Sequence, residues 1–202
     1  MSDDPDPCSS SDIPRITVAV TVLDPDWPRA VPAVEDLARR AAVAALVVSA
    51  AAHPDGVARA LAAGEAEISL VLADDATLRR YNKDYRGIDQ PTNVLAFAAV
   101  EGSGGAPERA EGPLLLGDVL LARETLAREA GEQGKTPADH LRHLVVHGVL
   151  HLLGQDHLGE DEAQIMERLE VAALGRLGVA DPYAATGAAT GAAVEDAAGV
   201  CG

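Results

Sequence analysis

The stretch from Thr136 to His157 restricts the possible folds more than any other part of the chain. Thr136-Pro137-Ala138-Asp139 offers an N-cap hydroxyl, a proline at the first helical position and an acid in the first turn. Leu141, Leu144, Val145, Val149 and Leu152 then recur at helical spacing, which predicts a helix with much of its surface buried. His147 and His151 stand one turn apart on that helix and project from one face, so two imidazoles can converge on one ion. Gly154 permits the left-handed backbone that ends a helix, after which the chain can swing His157 round to a third position.

Three nitrogen ligands leave the fourth position of a tetrahedral Zn²⁺ open to water, the catalytic rather than the structural arrangement. The competing explanation is chance placement of core or surface histidines, but the chain has only six histidines in 202 residues. Imidazoles also suit nickel, copper and iron, so the spacing favours zinc without fixing it. His140 lies three turns from His151, roughly 16 Å at 1.5 Å per residue, too far to share its ion. His143, one turn before His147, is expected to be a partly exposed structural histidine, with an indirect role beside the ligands as its alternative.

At 202 residues the chain is long enough for one domain with a buried core. Apolar residues make up 48% but aromatics only 2%, so the core must be built mainly from Ala, Val and Leu. Cys8 and Cys201 sit near the two ends and belong to no Cys or His cluster, which argues against a disulfide framework and fits a reducing compartment. The acidic N-terminal segment has no apolar core and is not expected to be a secretory signal. The longest apolar run, residues 41–52, suits a buried helix rather than a membrane span. A cytoplasmic protein without membrane contact is expected. The net charge is −16, and setting aside the seven acids of residues 1–12 and 181–202 leaves −9 on residues 13–180. That balance weighs against broad nonspecific nucleic-acid binding, and no DNA partner is expected. A polyanionic substrate would need a local basic site, for which Arg59, Arg79 and Arg80 around Arg86 are the candidates.

Residues 1–12 read as a disordered acidic tail and residues 181–202 as a disordered Ala/Gly-rich tail, flanking one domain at 13–180. Strands are expected at Arg15–Leu23, Glu67–Leu72, Val94–Val100 and Leu114–Leu121, the last interrupted by Gly117-Asp118. Helices are expected at Pro32–Ala51, from Asp74/Asp75 through Asn82, at Arg123–Gln133, at the histidine segment and at Glu160–Gly178. Residues 101–113, rich in Gly, Pro and Glu, read as a flexible loop. The expected architecture is α/β (α+β), a small mixed sheet of about four strands packed with about five helices, the histidine helix at its centre.

A second segment, Tyr85-Arg86-Gly-Ile-Asp-Gln-Pro91-Thr92-Asn93-Val-Leu, reads as a polar connection into a buried strand. Its bland explanation is a turn at Asp89-Gln-Pro, with Thr92 and Asn93 satisfying their own backbone. Arg86 is nevertheless a natural bidentate partner for a phosphate. Asp118 follows a glycine inside an apolar strand, and a buried carboxylate there needs a partner, either a ligand or nearby backbone. Asp156, beside His157, can accept a histidine N–H or cap the turn after the helix.

The spacing His-x-x-x-His-x-x-Gly-x-x-His matches the zincin-like metal-site helix of the metzincin peptidases, in which a glutamate follows the first histidine as general base. Here that position is Gly148, which lowers the peptidase reading sharply. With HGVLHLLGQDH at 147–157, YRGIDQPTNVLAF at 85–97 and LGDVLLA at 116–122, the chain resembles the YbeY family of bacterial endoribonucleases over roughly residues 15–178. The resemblance implies a metal-dependent hydrolase of single-stranded RNA, usually with one zinc ion, acting in 16S rRNA 3′-end maturation and ribosome quality control. It implies His147, His151 and His157 as ligands and Arg86 as the functional arginine; the residues themselves add His147 and Arg86 as the catalytic pair, Arg86, Thr92 and Asn93 as substrate-binding candidates, and Asp156 and Asp118 as candidate supports. Single-stranded precursor rRNA, ribosomal proteins and assembly factors are the implied partners. A metallopeptidase with its base elsewhere, or a ribosome-assembly module with a structural metal, are the other classes. The insertion at 101–113, both tails and Gln155, where relatives commonly carry an aromatic, depart from the family pattern.

Overall fold

Alternating apolar residues build the sheet, and the computed structural model, which describes residues 16–52, 66–99, 113–155 and 159–184, shows four strands. They are β1 (Ile16–Val22), β2 (Ala66–Ala73), β3 (Val94–Ala98) and β4 (Leu114–Ala122), in the spatial order β1-β2-β4-β3. β1 and β4 run parallel to the central β2, with Val18 opposite Ile68 and Leu70 opposite Val119. β3 is antiparallel to β4, Leu95 facing Leu120, and forms one edge. The sheet is therefore mixed, as expected. Parallel neighbours need long crossovers, and helices supply them.

The six helices among the described residues are α1 (Trp27–Ala30), α2 (Val34–Ala52), α3 (Asp75–Arg86), α4 (Arg123–Glu132), α5 (Pro137–Leu152) and α6 (Glu160–Arg176). α1 is the addition to the sequence expectation: Pro28 starts a single turn that buries Trp27, whose indole N–H donates to the Ala73 carbonyl at 2.9 Å. α3 runs four residues further than expected. Asp74 caps it by accepting the Thr77 N–H at 2.8 Å, and the helix stops only at Gly87, with φ 72°. Arg86 thus lies in a helix's last turn rather than in the connection. β3 ends at Ala98, before the expected boundary, while residues 1–12 and 101–112 fall outside the described residues. Residues 181–184 do not behave as tail: Tyr183 is half-buried against α6.

Side chains alternate across the sheet, and each face has its own apolar layer. Val119, Leu121, Leu70 and Leu72 point into the main core with α2, α5 and α6. Leu120, Ala122, Leu95 and Ala73 point the other way, under Leu78 of α3 and against the half-buried Tyr81 and Phe97. α5 carries its cap as read: the Thr136 hydroxyl accepts the Asp139 N–H at 3.0 Å, with Pro137 at the start. It is packed on the sheet, α2, α4 and α6, and so is central. At Gly148 the approach is closest, because a Cβ there would lie 2.6 Å from Val119 Cγ1 and 3.4 Å from Val94 Cγ2. No described helix is long and apolar enough to cross a membrane.

Candidate metal centre

One helical turn separates His147 from His151, and their rings stand 4.6 Å apart at 82°, with the two Nε2 atoms 3.1 Å apart. Two nitrogens each about 2.0–2.1 Å from a tetrahedral zinc ion are about 3.3 Å apart. The pair therefore has the separation that a shared ion needs.

The protonation of His147 is set from behind. Its Nδ1 lies 2.7 Å from Glu170 Oε1, while His143 Nε2 lies 2.9 Å from Glu170 Oε2. The Tyr183 hydroxyl donates to the same Oε2. Glu170 is 1% exposed, and burial pushes its carboxyl up, but the hydrogen bonds from His143 and His147 outweigh that and hold it well below the usual carboxylate range. A carboxylate can only accept, so His147 Nδ1 carries a proton, and its Nε2 is the nitrogen turned to His151. Burial, then the Glu170 charge, push the Tyr183 phenol up, so it stays a neutral donor. A carboxylate that fixes the tautomer and raises the basicity of a ligating imidazole is the usual support of a histidine metal site. The donor set fits a cation of zinc's type.

His157 and Asp156 lie outside the described residues. Among the described residues no group of three His, Cys, Asp or Glu is arranged to hold an ion, so what is described is the pair and its support.

Other candidates are dispersed. His140, buried, places Nε2 2.9 Å from Glu129 Oε2, which also accepts from Asn93 Nδ2 at 3.0 Å. Asn93 Oδ1 in turn accepts the Val94 N–H at 2.7 Å and the Thr92 hydroxyl at 3.4 Å. Both ends of the Asn93 amide are thus spent on holding the start of β3 to α4 and α5. Burial raises the Glu129 carboxyl, but the hydrogen bonds from His140 and Asn93 prevail and its pKa is lowered.

Arg86 is half-buried in the last turn of α3, a helix whose Leu78 and Tyr81 belong to the layer on the opposite face of the sheet from α5. Arg79 and Arg80 are on that same helix, so they do not flank the histidines, and Arg59 is outside the described residues. Asp118 corrects the expectation of a buried carboxylate. It is exposed, and it points away from α5 because its neighbour Val119 faces Gly148. The apolar layer under α3 takes in Leu120 and Leu95, leaving Asp118 beyond it in water.

Glu170, Tyr183 and Glu129 were not singled out in the sequence. Glu170 did leave a signal: Met166, Leu169, Ala173 and Leu174 are buried at helical spacing, and Glu170 occupies a position in that same stripe. A carboxylate there needs buried partners.

Fold and site together define an α+β protein whose central helix carries an imidazole pair at the separation of two metal ligands, braced by a buried carboxylate. The chain belongs to the endoribonuclease YbeY family, whose model matches residues 37–178. It is 52% identical over 168 residues to "Endoribonuclease YbeY" of Paramagnetospirillum magneticum, covering 83% of this chain and 96% of that one. The protein of the same name from Rhodospirillum rubrum is 53% identical over 170 residues, covering 84% of this chain and 82% of that one. A solution structure of a Thermotoga maritima protein aligns with 80% of this chain and 92% of its own at 18% identity and a TM-score of 0.47.

Proposed function

We propose that this chain is a metal-dependent endoribonuclease that hydrolyses phosphodiesters of single-stranded RNA, with His147, His151 and His157 holding one zinc ion. The observation that carries the reading is the family match across residues 37–178, which includes the whole histidine helix. The finer reading is that it acts on the 3′ end of 16S precursor rRNA and in ribosome quality control, in the cytoplasm, beside ribosomal proteins and assembly factors.

Each residue has a task in this proposal. Glu170 accepts the His147 Nδ1–H, so that the neutral ring carries its lone pair on Nε2. His143 and Tyr183 hold Glu170 in place. Zinc, when bound, supplies Lewis acidity that acidifies water and polarises a phosphoryl oxygen. Arg86, in the last turn of α3, offsets phosphate charge on a strand laid across the β3 edge, where α3 and α5 pack on opposite faces of the sheet. The peptidase alternative loses ground for a physical reason. The position of the missing glutamate is Gly148, where a side chain meets Val119, so no carboxylate base can be seated there.

Metal analysis of the purified protein, paired with cleavage of single-stranded and duplex RNA of one sequence, tests the reading. About one zinc per chain and cleavage confined to the single strand are expected. His147→Ala and Arg86→Ala should each lower cleavage at least 100-fold, on the scale of losing a metal ligand or a charge-stabilising donor. Casein degradation without RNA cleavage would sink it. Product ends address the nucleophile: a 2′,3′-cyclic phosphate would mean that the RNA 2′-hydroxyl, rather than water, attacks.

A further inference from the structure

The chain has one Trp, three Tyr and one Phe. Trp27 is in the core and Tyr183 braces Glu170. The remaining three form one cluster at the surface, Tyr81 and Tyr85 on α3 with Phe97 on β3. The Tyr81 and Tyr85 rings are nearly parallel, at 12° and 6.1 Å, and Phe97 lies 5.0 Å from Tyr85 and 6.3 Å from Tyr81. The Arg80 guanidinium sits 5.4 Å from the Tyr81 centroid, within cation–π range.

Packing accounts for part of this. Tyr81 and Phe97 lean on the buried Leu78, Leu95 and Leu120. It does not account for Tyr85, which is 67% exposed beside Ile88 at 48%. In a chain this poor in aromatics, a three-ring cluster ending in a largely bare tyrosine is a surface that a partner with flat π faces would cover.

Charge selects the partner. Residues 76–88 hold Arg79, Arg80, Lys83 and Arg86 against the single acid Asp84, within a chain of net −16. Asp89, next along, engages Arg79 at 2.7 Å and Lys83 at 2.9 Å, and these bonds hold its carboxyl down at about 2. Stacking rings with cations beside them are how proteins take up unpaired nucleic-acid strands, the rings meeting bases and the cations meeting phosphates.

Position connects the cluster to the histidines. Phe97 is three residues along β3 from Val94, roughly 10 Å at the rise of a strand, and Val94 is the β3 side chain closest to Gly148 of the histidine helix. Among the described residues β3 is an edge strand, paired only with β4.

We infer that Tyr85, with Tyr81, Phe97 and Arg80, is a stacking platform for unpaired bases of an RNA strand whose backbone continues across β3 to the histidines. The inference rests on the endoribonuclease reading for its choice of RNA. The platform binds bases outside a duplex and leaves duplex RNA unrecognised.

The test uses the full chain loaded with zinc and a short single-stranded RNA carrying one 2-aminopurine, whose fluorescence is quenched by stacking. Tyr85→Ala and Tyr85→Leu should weaken binding roughly 5- to 100-fold, the range for loss of one base–aromatic stack, and abolish the quench. Tyr85→Phe should keep both. Tyr85 is surface-exposed, so these variants fold, and Val43→Ala at an exposed apolar site on α2 serves as a control with unchanged binding. In cleavage assays Tyr85→Ala should raise KM by the same factor with kcat within about twofold, the signature of lost uniform binding. Tyr85→Ala binding and quenching like the wild type overturns the platform and assigns the cluster to a protein partner. If the wild type binds and quenches but cleaves nothing, the endoribonuclease reading fails while the platform stands. If the wild type binds no RNA, both fall.

Discussion

At the scale of single residues, Glu170 has the most to decide. It receives two imidazoles and a phenol with its two oxygens, and it does so at 1% exposure. Glu170→Gln keeps the shape but swaps one acceptor for a donor, so His143, His147 and Tyr183 can no longer all donate to it. Zinc affinity should fall about 10- to 100-fold, the usual consequence of losing a partner behind a ligating histidine, measured by chelator competition. Unchanged affinity would remove Glu170 from the site. The histidine pair itself was legible from sequence because it needs only helical spacing, and the 3.1 Å between the Nε2 atoms follows from one turn of α5. Glu170 sits 23 residues from His147 on another helix, so its partnership is a matter of packing rather than spacing. Asp118 shows the converse error: apolar neighbours in sequence suggested burial, but exposure depends on how far α3 reaches over the sheet.

At the scale of elements, the close contact of α5 with β4 governs both stability and chemistry. Val119 is β-branched, fully buried and fixed in the ladder between Leu70 and Ala96, so it cannot yield to a Cβ on Gly148. Gly148→Ala gains about 1 kcal/mol of helix propensity and costs about 1–3 kcal/mol in overpacking. A net loss of up to about 2 kcal/mol is expected, a Tm lowered by up to roughly 8 °C for a chain of this size; a raised Tm would show that the sheet relaxes. Glu129 ties α4 to α5 and β3 through His140 and Asn93. Because its pKa is lowered on folding, its contribution is present above the ordinary carboxylate value and is lost as pH falls through the folded value. Denaturant titrations from about pH 5 to 3 should therefore show stability falling less steeply in Glu129→Gln than in the wild type; parallel slopes would contradict this. The elements were legible where caps and apolar periods coincide, as at Thr136 and along α2. They were not where a helix is short or polar: α1 is a single turn, and the Lys83–Arg86 end of α3 has no apolar stripe to reveal it.

At the scale of the whole molecule, a chain of net −16 is a poor general ligand for a polyanion. If it takes RNA, it does so through a few contacts rather than a basic surface. On α3, Arg79 and Lys83 engage Asp89, and the phosphate-facing candidates are Arg80, beside the Tyr81 ring, and Arg86, the arginine assigned to the phosphodiester. Each phosphate neutralised in a single strand contributes about −0.7 to the slope of log K against log salt, so two contacts predict a slope near −1.4. Arg86→Ala should reduce that slope by about 0.7, while Tyr85→Ala should weaken binding at every salt concentration and leave the slope alone, because stacking releases no counterions. A wild-type slope several times steeper would place the RNA on a basic surface other than α3. A shallow slope with strong dependence on Tyr85 instead means that an acidic protein discriminates by the bases a strand exposes, which is how single-stranded RNA differs from the duplex around it.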